Sequence, residues 1–210
     1  MTKKYNRIKQ ILFPSKKINF IIITILFLGV ISGAIFANII DLNDRNLVID
    51  KIELFISNID NRTIDSIIAL KNSILTNLGY SLIIWILGMT IIGIIINIFL
   101  LYLKGFIFGF SLSAFILTYS YKGIILSILY TLFGQLLNLI VIMILTIYSV
   151  MFTVNLLKQI IKNKQNINLP KYFKNYSLIF LITLIISIIS SISEVFLFPT
   201  LIKIIIKLFI

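Results

Sequence analysis

Apolar residues dominate the chain in long runs, separated by short clusters of charge, and the lengths of these runs define the elements. A hydrocarbon core about 30 Å thick needs roughly 20 helical residues to cross it. Runs of that order occur at 18–40, 78–103, 105–121, 123–157 and 176–198, which predicts five transmembrane helices. Between the first two, residues 41–76 contain "LVIDKIELFISNI" and "TIDSIIALKNSIL", where apolar positions recur at i, i+3 and i+4. That spacing predicts either two short amphipathic helices on the outer membrane surface or a solvated linker with local helicity. The fourth run is longer than a crossing requires, and "FGQLLN" inside it places Gly134, Gln135 and Asn138 where a break or re-entrant turn could sit. A tilted continuous helix extending past the membrane fits that run equally well. After Pro199, the tail "TLIKIIIKLFI" carries Lys203 and Lys207 four residues apart, on one face of a short interfacial helix.

Composition turns this pattern into a class. Hydrophobic residues make up 60% of the 210-residue chain and the mean hydropathy is +1.10, far above a soluble domain. The expected fold is an all-α polytopic membrane bundle: a basic segment 1–17 followed by a single membrane domain, 18–210. The sequence has no cysteine and no histidine, which removes disulfides, thiol nucleophiles, imidazole bases and the usual zinc or haem ligands. There is no H-E-x-x-H, no paired intramembrane aspartates and no phosphate-cradling glycine loop. The chain is therefore expected to be non-enzymatic, with no catalytic residue, metal ligand or cofactor.

The formal net charge of +12 would suggest nucleic acid in a soluble protein, but here the bases flank apolar runs and act as topology signals, so no nucleic-acid partner is expected. Lys3, Lys4, Arg7, Lys9, Lys16 and Lys17 precede the first run and set the N-terminus in the cytoplasm. Six of the seven acids lie in 41–76, which belongs outside. The loop 158–175 carries Lys158, Lys162, Lys164, Lys171 and Lys174 and no acid, which belongs inside. The result is N-in and C-out, with Lys104 at the inner surface and Lys122 at the outer one.

Two ladders of small residues recur at four-residue spacing: Gly29, Gly33 and Ala37 in the first run, Gly105, Gly109 and Ser113 in the third. Such ridges allow close helix approach in lipid. They serve either packing within the chain or a contact with another chain, a homo-oligomer included.

The seventh acid, Glu194, stands in an apolar run, where an ionisable group is costly and faces protein or water. Ser187, Ser190, Ser191 and Glu194 fall on one helical stripe, with Ile185, Ile189, Ile192 and Phe196 opposite. With the exit placed at Phe198, Glu194 is expected about 6 Å below the outer surface. At that depth its candidate partners are Lys122, Gln135 and a backbone amide freed near Pro199, with Lys104 out of reach. The stripe reads as a packing lock, a contact with a partner's transmembrane segment, or an ion or proton site. A transporter or channel subunit, with Glu194, Lys122, Gln135, Asn138 and Asn97 lining a polar path, is the alternative function.

"LFLGVISGAIFAN" in the first span, "WILGMTIIG" (Trp85 to Gly93, with Gly88 between), "LKGFIFGF" (Leu103 to Phe110, with Lys104) and "SEVFLFPTL" near the end resemble the stage II sporulation protein M family, in the same order over nearly the whole chain. The resemblance implies a non-enzymatic membrane scaffold of the engulfment machinery. Its implied partners are a lytic transglycosylase and a cell-wall amidase/endopeptidase that remodel peptidoglycan. The implied location is the cell membrane, and during sporulation the septal or engulfing membrane.

Overall fold

The computed structural model describes residues 16–60, 65–130, 135–162 and 169–209, and among them every regular element is helical. In chain order these are α1 (Lys16–Ile39), α2 (Leu42–Asp60), α3 (Ser66–Leu87), α4 (Gly93–Tyr119), α5 (Tyr121–Tyr130), α6 (Leu136–Lys162), α7 (Leu169–Ile192), a π-type turn (Ser193–Leu197) and α8 (Phe198–Phe209). Five stretches are long and apolar enough to cross a membrane: α1, α3, α4, α6 up to Ile161, and the run from α7 through the π turn to Ile204. The protein is an all-α polytopic helical bundle. Gly134, Lys164 and the basic residues before Ser15 lie outside the described residues.

Side-chain contacts fix the direction of each crossing. Gly29 of α1 lies against Tyr102 and Phe106 of α4, and Gly33 against Phe106 and Phe110, so these two helices run the same way. Asn77 of α3 bonds Ser191 of α7 while Ile84 accepts from Tyr176, so α3 and α7 are antiparallel. Asn138 and Thr153 of α6 bond Asn77 and Gly88, so α6 runs parallel to α3. Helices α1, α4 and α7 therefore cross one way and α3 and α6 the other. This alternation collects Lys16, Lys17, Lys158, Lys171 and Lys174 at one end and Asp41, Asp44 and Asp65 at the other. By the positive-inside rule the basic end is cytoplasmic, giving N-in and C-out.

Several boundaries differ from those expected of the sequence. The break anticipated at Lys104 does not exist: residues 93–119 form one helix, and Lys104 lies near its middle with its ammonium 5.3 Å from the Tyr80 ring centroid. The inner turn falls instead at residues 88–92. Hydropathy ran through it because Met89, Ile91 and Ile92 are as apolar as the spans they join. Gly88 makes this turn possible, since a Cβ there would collide with Tyr176 Oη and Ser149 Oγ of the helices behind it. Thr90 Oγ1 then accepts from Gly93 N at 3.0 Å as α4 begins.

The outer segment 41–76 also divides differently. Its first half is the helix α2, but "SIIALKNSIL" forms the opening turns of the crossing helix α3, capped by Asp65, whose side chain accepts from Ile67 N and Ile68 N. In the run 123–157 the described residues form α5 as far as Tyr130 and α6 from Leu136, and the break expected around Gly134 falls outside the described residues. The expected inner loop 158–175 is largely helical, because α6 continues to Lys162 and α7 already starts at Leu169. Nor does the last span end at Pro199. A proline has no N–H for the preceding turn, and here the ladder passes through a π turn closed by Phe198 N to Ser193 O before α8 continues.

Two apolar clusters organise the bundle. The larger joins α1, α3, α4, α6 and α7 through Ile22, Leu26, Ile84, Leu101, Ile142, Leu145, Ile147 and Tyr176. The smaller forms an outer cap in which Ile56 and Ile59 of α2, Phe115 of α4, Leu126 of α5 and Phe198 and Ile202 of α8 meet. Phe55 stacks on Phe198 at 6.2 Å, and Tyr130 meets the same ring edge-on at 5.1 Å.

Candidate functional site at the outer end of a polar core

Polar side chains recur every four residues on α3, at Ser73, Asn77 and Ser81, which places them on one face. That face meets the serine stripe of α7, where Ser187, Ser190 and Ser191 are all fully buried. Asn138 of α6 closes the group. The apolar residues opposite the α7 stripe, Ile185, Ile189, Ile192 and Phe196, are exposed, as a lipid-facing surface requires.

Glu194 heads this core from the π turn. Ser73 Oγ donates to its Oε2 at 2.7 Å, and Gln135 Nε2 donates to its Oε1 at 3.2 Å. Gln135 Nε2 also reaches Tyr130 Oη at 2.8 Å, tying the site to the outer cap. Below the carboxylate, Asn77 Nδ2 donates to Ser73 Oγ at 3.4 Å and Ser191 Oγ at 2.9 Å, and its Oδ1 accepts from Asn138 Nδ2. Lys104 of α4 is close enough to interact electrostatically with Glu194 but makes no ion-pair contact with it.

The depth of Lys104 differs from the sequence-based expectation. Ser73 lies fourteen residues before the inner end of α3 at Leu87, about 21 Å along the helix. Lys104 lies eleven residues, about 16 Å, above the inner start of α4 at Gly93. The two are within about one helical turn in height, so Lys104 is within electrostatic reach of Glu194 rather than at the inner surface. Ser73, and Glu194 bonded to it, lie in the outer half of a core about 30 Å thick, and the chain beyond Glu194, α8, forms part of the cap. Lys122 is half-buried near the start of α5, and Pro199 is the second residue of α8.

A second polar group lies nearer the inner face. Asn97 of α4, fully buried, donates to Ile84 O at 3.0 Å and Ser149 Oγ at 2.6 Å. Thr153 donates to Gly88 O at 2.7 Å, and Tyr176 Oη donates to Ile84 O at 2.9 Å and Trp85 O at 3.1 Å. Those to Trp85 O and Gly88 O satisfy carbonyls near the end of α3 at the inner turn, while Ile84 O also accepts from Gly88 N at 2.9 Å. Trp85 stacks on Phe180 at 4.7 Å, so the motif from Trp85 to Gly93 is the docking point of α3 on α6 and α7.

The glycine ladders meet each other. A Cβ on Gly33 would strike Phe106 O of α4, and one on Gly109 would strike Val30 O of α1. Gly29, Gly105 and Ala37 are buried along the same seam, and Ser113 accepts from Asn38 Nδ2 at 3.0 Å.

Ser73, Asn77, Tyr130, Ser149, Thr153 and Tyr176 take part in these networks and were not singled out from the sequence. Assigning 41–76 to an outer loop hid Ser73. The four-residue recurrence of Ser73, Asn77 and Ser81 was the available signal. Among the described residues no group of three or more acids could hold a metal ion.

The fold and site together define a polytopic membrane protein whose one intramembrane acid is held by Ser73 of α3 and by Gln135 just before α6. The family model for stage II sporulation protein M matches residues 22–199, and the chain belongs to that family. Membership suggests a sporulation-related membrane protein. No curated protein and no solved structure matches the chain at a significant level.

Proposed function

We infer that the protein is a non-enzymatic scaffold that assembles or localises peptidoglycan-remodelling enzymes, a lytic transglycosylase and a cell-wall amidase/endopeptidase, in the septal or engulfing membrane during forespore engulfment. The family match over residues 22–199 carries this reading. The outer cap supports it. There α2, α5 and α8 are locked together by Ile56, Ile59, Leu126, Phe198 and Ile202, giving a firm surface on the side where wall enzymes work.

Deleting the chain should leave vegetative growth intact and block engulfment, and both wall enzymes should co-purify with it from sporulating cells. Normal engulfment in the deletion strain would overturn the reading. The second reading, a transporter or channel subunit, is favoured by one observation: Ser187 Oγ and Asn138 Oδ1 in the outer polar group and Asn97 Oδ1 in the inner one are buried polar atoms without a partner among the described residues. A vegetative growth defect would point to it.

A further inference from the structure

Glu194 is half-buried but not sealed. It lines a cavity of about 740 Å³ whose walls include Phe55 and Ile59 of α2, Ala69 of α3 and Phe198 of α8. Lys203 lines the same cavity nine residues further along the chain, about 13 Å along a helix. Each carboxylate oxygen accepts one hydrogen bond and keeps capacity for another. Lys203 has no ion-pair partner among the described residues. The cavity is thus bipolar, with an acid at its inner end and a base nearer its outer end. Phe196 and Ile204, both exposed, extend it with apolar surface.

This polarity selects the occupant. A second copy related by a two-fold axis along the membrane normal would set Glu194 against Glu194 and Lys203 against Lys203, pairing like charges. A bare cation would find a single carboxylate and a space far larger than it needs. A lipid tail would meet an acid at the end where it should be driest. A transmembrane helix from another protein satisfies both charges if its own are reversed in order.

We propose that this cavity docks a transmembrane segment of a different protein, one that carries a Lys or Arg at the depth of Glu194 and an Asp or Glu about nine residues further out. The choice of a protein partner rests on the scaffold reading; the charge order does not.

The test uses the full-length protein in phosphatidylcholine bilayers, with energy transfer to labelled leucine-rich transmembrane peptides of about 20 residues. One peptide carries Lys at the matching depth and Asp nine residues outward, one carries the same pair reversed, and one carries neither. The matched peptide should associate about tenfold more tightly than the uncharged one, and the reversed peptide should show no gain. Glu194→Gln should abolish the advantage of the lysine, and Lys203→Ala that of the aspartate. Exchanging both charges, Glu194→Lys with Lys203→Glu, should transfer the preference to the reversed peptide, which no general loss of folding would do. Equal binding of matched and reversed peptides, or indifference to Glu194→Gln, overturns the proposal. So does saturation of the site by octylammonium with no charged-peptide preference, which would make it a site for small amphiphilic cations. None of these outcomes depends on engulfment, so the scaffold reading stands or falls separately.

Discussion

Along the seam between α1 and α4, two parallel helices touch backbone to backbone, and the contact is made by what is missing: at Gly29, Gly33, Gly105 and Gly109 no side chain intervenes. Across α3, α6 and α7 the contact is made by what is present, a set of buried Asn, Ser, Thr and Tyr side chains bonded between helices. Lipid supplies no hydrophobic force between helices, so a membrane bundle must use shape or hydrogen bonds. The seam uses shape and is intolerant of volume. The core uses bonds and is intolerant of lost partners, but each loss is limited by what one bond contributes. The two regions should therefore fail differently.

The seam should show the larger effect. Gly109→Leu would drive a branched side chain into Val30 O, and Gly33→Leu would do the same to Phe106 O. Neither obstacle is a movable side chain, so the helices must separate. Either change is expected to cost about 3 kcal/mol or more, the upper end for overpacking, read as a shift in SDS-induced unfolding and loss of accumulated protein. Normal unfolding of both variants would show that the seam is not a backbone contact.

The inner polar group comes next. Asn97→Ala removes two bonds, to Ile84 O and Ser149 Oγ, and should cost about 1–2 kcal/mol, since single interhelical hydrogen bonds in membranes contribute modestly. Gly88→Ala breaks the same region by volume, against Tyr176 and Ser149, and should cost more than Asn97→Ala in the same unfolding assay. If Asn97→Ala proved the worse of the two, the inner turn would be held by bonds rather than by fit.

This contrast also explains what the sequence revealed. Small residues at four-residue spacing survive as a pattern because shape complementarity needs them on consecutive turns, so Gly29, Gly33, Gly105 and Gly109 were legible, although that they face each other was not. Helix count and sidedness were legible for the same kind of reason, since lipid and the positive-inside rule act on whole segments. The boundaries at residues 88–92 and 66 were not. Met89, Ile91 and Ile92 hide a turn inside apolar sequence, while Lys71 and Asn72 make the top of a crossing helix look like a loop. Lys104 misled most: a lone base in an apolar run reads as a membrane surface, and only the tertiary fold supplies the Tyr80 ring and the Glu194 charge that let it stay inside. Hydrogen-bond partners such as Ser73 with Glu194 lie 121 residues apart, and no local pattern encodes such a pairing.

The smallest effect is expected of Glu194→Gln, although Glu194 is the most conspicuous residue. Its carboxylate accepts from Ser73 and Gln135. Glu194→Gln keeps an acceptor for Ser73, and Gln135 can turn its amide to present oxygen to the new amide nitrogen, so both bonds persist. What is lost is the attraction to Lys104, which makes no direct ion pair. The cost of Glu194→Gln should therefore stay below about 1 kcal/mol, whereas Glu194→Leu strands both donors and should cost about 1–3 kcal/mol. Lys104→Met discriminates further. If the two charges interact across the core, combining it with Glu194→Gln should cost less than the sum of the single changes, because the second substitution removes a charge already left without its counterpart. Additive costs in the unfolding assay would mean that Glu194 and Lys104 are stabilised independently, and that the acid is held by Ser73 and Gln135 alone.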